Sequence, residues 1–481
     1  MSEEILIVGI GPGDPEYVTR EAWEALHSSR RIFARTKFHQ VLKALPDDIH
    51  VQSFDNLYDQ AEEFADVYTA IVDNLLNAVS EQGSILYAVP GDPMVGEATV
   101  AELLKRATGK GIDLKIIHGI SFVEPCLEYV GIDALDGLAI SDALGLAAGH
   151  HPPFSPDTPV LVAQLYSQLV ASDVKLTLMN AYPEEHSVIL IHQAGTRESQ
   201  LEEIPLYEID RSQDIDYMTT LYIPPLPERS SFESFQETVA HLRAPDGCPW
   251  DREQTHQSLR MHLLEECYEA LHAIDNGDLE ALREELGDLT LQIILQAQIA
   301  TESGDFRMTD VIAGITEKIV RRHPHVFGEI QVEDMQTVLH NWEVLKAAER
   351  EVDGNDKGVL DGVPLGLPAL AQANELQSRV ARVGFDWADI AGVLDKIEEE
   401  LAEVKEAGDD EVKAAEIGDV LFAVVNYARW LGVDPESALR QANQRFRERF
   451  ARLEKSAKLQ GRKLSEMTIE EMDTLWELSK R

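Results

Sequence analysis

Two kinds of carboxylate pattern recur in this chain, each at helical spacing. In "LLEECYEAL" (Leu263–Leu271) Glu266 and Glu269 lie three residues apart, about one helical turn, beside an apolar stripe of Leu263, Leu264, Tyr268 and Leu271. "ELGDL" sets Glu285 and Asp288 at the same spacing. Both patterns return later: "EEELAE" carries Glu400 and Glu403, and "EIGDV" carries Glu416 and Asp419. Four carboxylates beside apolar helices repel one another, and desolvation opposes their ionisation unless a cation holds them. With carboxylate oxygen the only donor that returns in both sets, Mg²⁺ or Mn²⁺ is expected rather than zinc. An isolated E-x-x-E is more often a solvated helix face. Here the duplication favours a metal site, as do the apolar runs "LTLQIILQAQIA" and "VLFAVVNYARWLGV" that follow each aspartate and predict buried helices.

The elements that position these groups repeat as a unit. "LEECYE" and "EEELAE" are offset by 134 residues, "ELGDL" and "EIGDV" by 131, and "NWEVLK" at Trp342 and "LWELSK" at Trp476 by 134 again. Matches in the same order at nearly constant offset indicate a duplication, with Asp353 to Pro368 as its seam. Each repeat also carries cations four residues apart, Lys318 with Arg322 and Arg445 with Arg449. Spacing alone favours ordinary i,i+4 ion pairs for them. Beside a metal cluster they acquire a second role, because metal and positioned cations together are what a polyphosphate requires. Asn426, two turns after Asp419, is a candidate reader of a sugar or base, or satisfies a local hydrogen bond. Trp342 and Trp476 are expected in cores more than stacked on a base.

The whole-chain balance limits the partners. There are 42 Lys and Arg against 86 Asp and Glu, a formal net charge of -44 in 481 residues. Such a surface repels nucleic acid and anionic membranes, whose binding rests on basic residues displacing counterions. The odd, scattered cysteines Cys126, Cys248 and Cys267 argue against a disulfide framework. "MSEEILIVGIG" does not read as a signal peptide, and no apolar run reaches the ~18 residues of a membrane span. A cytoplasmic protein is expected. "HPHVF" places His323 and His325 around Pro324, where a helix-ending turn explains them better than zinc.

Up to about residue 225, "EILIVGI", "GSILYAVPG", "LKIIHGI", "PVLVAQL" and "SVILIHQAG" read as buried strands alternating with helical segments, an α/β arrangement. "YIPPLPERSSF" (Tyr222–Phe232) reads as a linker, and helices alone follow. The expected organisation is multidomain, with an α/β domain over 1–225 and two all-α domains over 226–352 and 353–481.

The segments "LRAPDGCPWDREQTHQSLRMHLLEECYEAL", "ELGDL" and "RRHPHVFGE", with "RVGFDW", "EEELAE", "EIGDVLFAVVNYARWLG" and "ANQRFRERF" in the second half, resemble the MazG family of nucleoside triphosphate pyrophosphohydrolases over about residues 235–481. The resemblance implies Mg²⁺-dependent cleavage of NTPs or dNTPs between the α and β phosphates by helical bundles that usually dimerise. It also implies catalysis in the second repeat, by Glu400, Glu403, Glu416 and Asp419, with Arg445 and Arg449 on phosphate oxygens. This chain departs from the family at Arg445, where Lys is frequent, and at Glu448, where Arg is common.

Three loops, "VGIGPGDPEYVT", "YAVPGDPMVGE" and "HGISFVEP", in this order resemble the tetrapyrrole (corrin and porphyrin) methylase family over about residues 4–225. That likeness implies a two-lobed α/β fold with S-adenosylmethionine in its cleft. Gly9, Gly11, Pro12, Gly13 and Asp14 would line the cleft, and Pro90, Gly91, Asp92 and Met94 would lie near the cofactor. His118 and Phe122 stand where the family usually has Pro and Ser. A methyltransferase acting on a tetrapyrrole-like or other small molecule, with the helical half as partner module, is the alternative activity. A non-catalytic helical scaffold is a third reading, disfavoured by the carboxylates.

Overall fold

The computed structural model describes residues 3–58, 64–328, 330, 334, 337–338 and 358–480. It divides into two compact units, Met1–Glu253 and Gln254–Arg481.

In the first unit, short Val- and Ile-rich runs form two five-stranded sheets. The first takes the order β3-β2-β4-β1-β5 from β1 (Glu4–Gly9), β2 (Arg31–Ala34), β3 (His50–Ser53), β4 (Ser84–Val89) and β5 (Asp113–Ile117), and every pair is parallel. Parallel strands need crossovers, and these bury both sheet faces. Ile5, Ile7 and Tyr87 therefore join one core with Leu75, while Val8, Leu86 and Ala88 join another with Leu26. The second sheet, β6-β7-β10-β8-β9, is mixed and comprises β6 (Ala139–Asp142), β7 (Val160–Ala163), β8 (Ser187–His192), β9 (Gln200–Pro205) and β10 (Thr219–Ile223).

The stretch read as a linker begins inside this fold, because Tyr222 and Ile223 end β10 and are buried. It is also anchored. The Asp157 carboxylate accepts from the amides of Ser230 and Ser231 and from the Ser231 hydroxyl, which pins the start of the helix Phe232–Arg243.

The second unit is helical: α1 (Arg260–Asn276), α2 (Leu279–Ser303), α3 (Met308–Arg322), α4 (Ala369–Arg382), α5 (Ile390–Glu406), α6 (Asp410–Trp430), α7 (Pro435–Leu459) and α8 (Ile469–Ser479). Gly277 ends α1 at φ 66°, and Asp278 caps α2 by accepting from the amides of Glu280 and Ala281. Asp409 caps α6 in the same way through the Val412 amide. These short connections fold α1–α2 and α5–α6 into hairpins. The expected burial on nearly every side of α2 and α6 is met on one stripe only. Ile294, Leu295 and Ala300 are buried in α2, and Ala423 and Val425 in α6, but Leu421 is 54% and Phe422 45% exposed. A two-helix hairpin covers one face of each member; α4 also packs on α6, with Gln377 Nε2 donating to the Phe422 carbonyl oxygen, yet the Leu421 and Phe422 side chains stay open. Helix α3 ends at Arg322, before Pro324, and the His323 ring bonds the Ile319 carbonyl oxygen, in keeping with a turn. Among the described residues, no helix is long and apolar enough to cross a membrane.

Candidate metal centres and cofactor cleft

The hairpins explain why local spacing becomes a cluster. Glu269 and Glu285 stand eight residues before and after Gly277, and Glu266 and Asp288 eleven, so folding the chain back at Gly277 brings them opposite one another. Carboxylate oxygens of Glu266, Glu285 and Asp288 all lie within 4.8 Å of each other, as do those of Glu400, Glu416 and Asp419. Glu269 and Glu403 lie outside these groups of three but share their field. Desolvation first, then the charges of Asp288, Glu269 and Glu285, holds the Glu266 carboxyl above its ordinary pKa. Glu285 is raised by desolvation and by Glu269 and Asp288. In the second centre desolvation, followed by Glu400 and Glu416, raises Glu403. Such groups gain most from a cation, and an all-oxygen set of this size fits Mg²⁺ or Mn²⁺.

The two centres differ in their cations. Lys396 places Nζ 2.7 Å from Glu400 Oε1 and 2.9 Å from Glu399 Oε1, and Glu400 is only 6% exposed. These hydrogen bonds, led by the one to Glu400, hold the ammonium protonated. The residue 134 positions earlier is His262, whose Nδ1 is 3.8 Å from Glu265. Lys396 was not singled out from sequence, although its position four residues before Glu400 is the signal that would have found it.

Arg445 and Arg449 both lie on α7, and among the described residues neither makes an ion pair, so the expected pairing with neighbouring Glu is not seen; Glu448 instead accepts from Gln444. Lys318 and Arg322 lie on α3, where Lys318 is exposed. Among the described residues Arg445 and Arg449 form no ion pair with Glu400, Glu403, Glu416 or Asp419, and the ion pair on Glu400 comes from Lys396 instead. Trp476 packs near Leu453 and Leu475, with its ring 5.2 Å from that of Phe446, which is the expected core setting. Trp342 lies outside the described residues.

Asn426 is tied into a polar cluster with no local sequence signal. Its Oδ1 accepts from Arg429 Nε at 3.0 Å and Nη2 at 2.8 Å, and Arg429 Nη2 also donates to Asp386 Oδ1 at 2.6 Å. Trp430 Nε1 donates to the same Asp386 oxygen at 3.2 Å. Burial would raise the Asp386 carboxyl, but the bonds from Arg429, the Trp387 amide and Trp430 outweigh it and hold the group below its ordinary value.

In the first unit, the loops after β1, β4 and β5 meet at the carboxyl edge of the parallel sheet, the usual place for a ligand. A Cβ on Gly119 would lie 2.3 Å from the Gly91 carbonyl oxygen, and one on Gly9 2.7 Å from both that oxygen and the Gly119 nitrogen. Glycine is therefore required here so that three backbones can interlock. Gly11 and Gly91 exchange backbone hydrogen bonds of 3.3 and 2.7 Å. Gly13 and Pro12 pack against Thr196 and Gly195 of the second lobe. Asp92 is committed to holding the loops, accepting from the Met94 amide through Oδ1 and from His118 Nδ1 and the Gly119 amide through Oδ2. Asp14 likewise accepts from the Glu16 amide and Arg197. Of the residues carried over from the family, Met94 is 57% exposed, and Pro90 precedes the tight turn at Gly91.

Three features of this cleft were not read from sequence. His39 donates through Nε2 to the Gly11 carbonyl oxygen, while its Nδ1 is buried without a partner; burial pushes its pKa down to about 4 and keeps it neutral. Gln164 and Gln193, following β7 and β8, hold φ values of 64° and 52°. Positive φ is uncommon for residues other than glycine and clusters at functional sites.

Comparison with known proteins follows these two units. Residues 4–210 match the Tetrapyrrole (Corrin/Porphyrin) Methylases, and residues 254–327 the MazG nucleotide pyrophosphohydrolase domain. The latter match falls on the first repeat, whereas relatives span both. The "Uncharacterized protein YabN" of Bacillus subtilis is 40% identical over 494 residues, covering 100% of this chain and 99% of that protein. The nucleoside triphosphate pyrophosphohydrolase/pyrophosphatase MazG of Thermotoga maritima is 47% identical over 251 residues, 52% of this chain and 95% of its own length. The nucleoside triphosphate pyrophosphohydrolase of Escherichia coli K12 is 43% identical over 249 residues, 50% of this chain and 94% of its own.

Proposed function

Because this chain belongs to the MazG family of nucleoside triphosphate pyrophosphohydrolases, with a tetrapyrrole methylase domain ahead of the helical half, we propose that it converts NTPs or dNTPs and water to NMP or dNMP and pyrophosphate. The observation that carries this reading is the pair of all-oxygen carboxylate clusters on α1–α2 and α5–α6. We assign catalysis to the second, where Glu400, Glu403, Glu416 and Asp419 would hold Mg²⁺ or Mn²⁺. The bound cation would offset triphosphate charge and polarise the α-phosphorus. One of these glutamates is suited to accept the proton of the attacking water. As the water oxygen bonds to the α-phosphorus, the bond to the bridging oxygen breaks and its electron pair leaves with pyrophosphate. Arg445 and Arg449 hold phosphate oxygens, with Lys318 and Arg322 as their counterparts in the first repeat, where Glu266, Glu269, Glu285 and Asp288 form a second metal site. Trp476, half-buried against Phe446, contributes apolar surface beside the nucleotide.

The domains in this reading are 1–225, 226–352 and 353–481, in a cytoplasmic homodimer. The dimer covers the apolar side chains that the hairpins leave open, Leu421 and Phe422 among them. Light scattering is expected to give twice the chain mass of 53.7 kDa; a monomer at micromolar concentration would refute it.

Phosphorus NMR of a nucleotide panel with Mg²⁺ is expected to show pyrophosphate and monophosphate from every accepted nucleotide. Release of orthophosphate from the γ position by pure protein would overturn the assignment.

The alternative methyltransferase reading has its own support in the interlocked glycine loops and the orphaned His39 Nδ1 beside Gly11. S-adenosylmethionine would be held by the loops Gly9–Asp14 and Pro90–Met94. Calorimetry on the full chain is expected to register binding of this cofactor or its demethylated product, and absence of heat with both would reduce the domain to a scaffold.

A further inference from the structure

The cluster of Asp386, Arg429 and Asn426 does more than satisfy a half-buried amide. Which way a carboxamide faces is normally decided by its partners. Here the partner leaves no choice, because a guanidinium has donors only, so the atom facing Arg429 must be the Asn426 oxygen. Arg429 is fixed from its other side by Asp386, whose oxygen it meets at 2.6 Å and which also takes the Trp430 indole N–H. Arg429 and Asp386 are 17% and 24% exposed, so water competes weakly for the pair. The consequence is chemical: Asn426 can offer only its two N–H donors to anything else, and among the described residues nothing accepts them.

Those donors are placed to meet a nucleotide. Asn426 lies seven residues after Asp419 on α6, on the same face and about 10 Å along the helix, a separation on the scale between the phosphates of a nucleotide and its sugar or base. The first repeat has no counterpart: at the 131-residue offset Asn426 corresponds to Leu295, which is buried, and Arg429 to Gln298, which donates to Glu302.

We propose that Asp386 and Arg429 are positioning residues for nucleotide selection, holding Asn426 so that its amide N–H groups read the 2′-hydroxyl or a base acceptor of the bound nucleoside triphosphate. This rests on the pyrophosphohydrolase reading of the second repeat. A site built to donate rejects a nucleotide that lacks the acceptor, because the donors then stay unpaired.

The test is steady-state kinetics of the full chain on the four NTPs and four dNTPs, for Asn426→Asp, Asn426→Ala, Arg429→Met and the double variant Arg429→Met/Asn426→Ala, with thermal melting of each. Asn426→Asp keeps the oxygen bonded to Arg429 and turns the free donor face into an acceptor, so the preferred nucleotide should lose about tenfold or more in kcat/KM, through KM, and the spread between best and worst substrates should shrink. Arg429→Met should narrow the spread in the same way, and the double variant should be no worse than Asn426→Ala, because both act through one contact. A change in the NTP-to-dNTP ratio assigns the acceptor to the sugar, and a change among bases assigns it to the base. Equal losses on all eight nucleotides, or losses that add in the double variant, would overturn the inference. A wild-type chain that releases no pyrophosphate from any nucleotide would instead sink the parent reading.

Discussion

Glu403→Gln is expected to lose at least about a hundredfold in turnover, the scale of a lost catalytic metal contact, while Glu269→Gln loses far less. The substitution is nearly isosteric, so it removes charge rather than volume. It also relieves a cluster in which desolvation, then Glu400 and Glu416, push the Glu403 carboxyl up, so the metal-free variant should melt no lower than the wild type. That separates a chemical loss from an unfolding loss. The choice of the second repeat rests on its fuller polar set, with Lys396 on Glu400 and Asn426 beyond Asp419. The opposite pattern, an inactive Glu269→Gln and a near-normal Glu403→Gln, would reverse the assignment of the active half.

Chelation of divalent cations by EDTA should abolish pyrophosphate release, with recovery on adding Mg²⁺ or Mn²⁺. The dependence on pH follows from the direction of the shifts. Glu266, Glu285 and Glu403 have raised pKa values in the folded chain, so without metal the fold binds protons there more tightly than the unfolded chain does. Their ionisation therefore costs stability as pH rises from the unfolded carboxylate range through the raised folded values. A cation removes that cost and competes with the same protons. The rise in melting temperature on adding Mn²⁺ should consequently be largest near neutral pH and shrink as pH falls into the carboxylate range. A rise independent of pH, or full activity in EDTA, would exclude these carboxylates as the cation site.

What the sequence determined by itself is what depends on neighbours along the chain. A spacing of three on a helix sets Glu266 with Glu269 and Glu416 with Asp419 on one face whatever the rest of the fold does, and the duplication made both centres visible. The apolar runs of β1, β4, β5, β7 and β8 were legible for the same reason. The other five strands were not: β2, β3 and β6 are as short as β7 but lack its unbroken apolar run, β9 is mostly polar, and β10 runs into the proline-rich stretch. Tertiary structure decided whatever depends on residues distant in sequence. Folding at Gly277 converted two pairs into one cluster, and the link from Asp386 to Arg429 spans 43 residues and set the facing of Asn426. The glycines of the cleft, which read as room for a ligand, serve in part to let Gly9, Gly91 and Gly119 pass within contact of one another's backbone. Helical period reports which residues share a face, but it cannot report what covers that face. For that reason Leu421 and Phe422, apolar in the sequence and expected inside, stand open on the single chain.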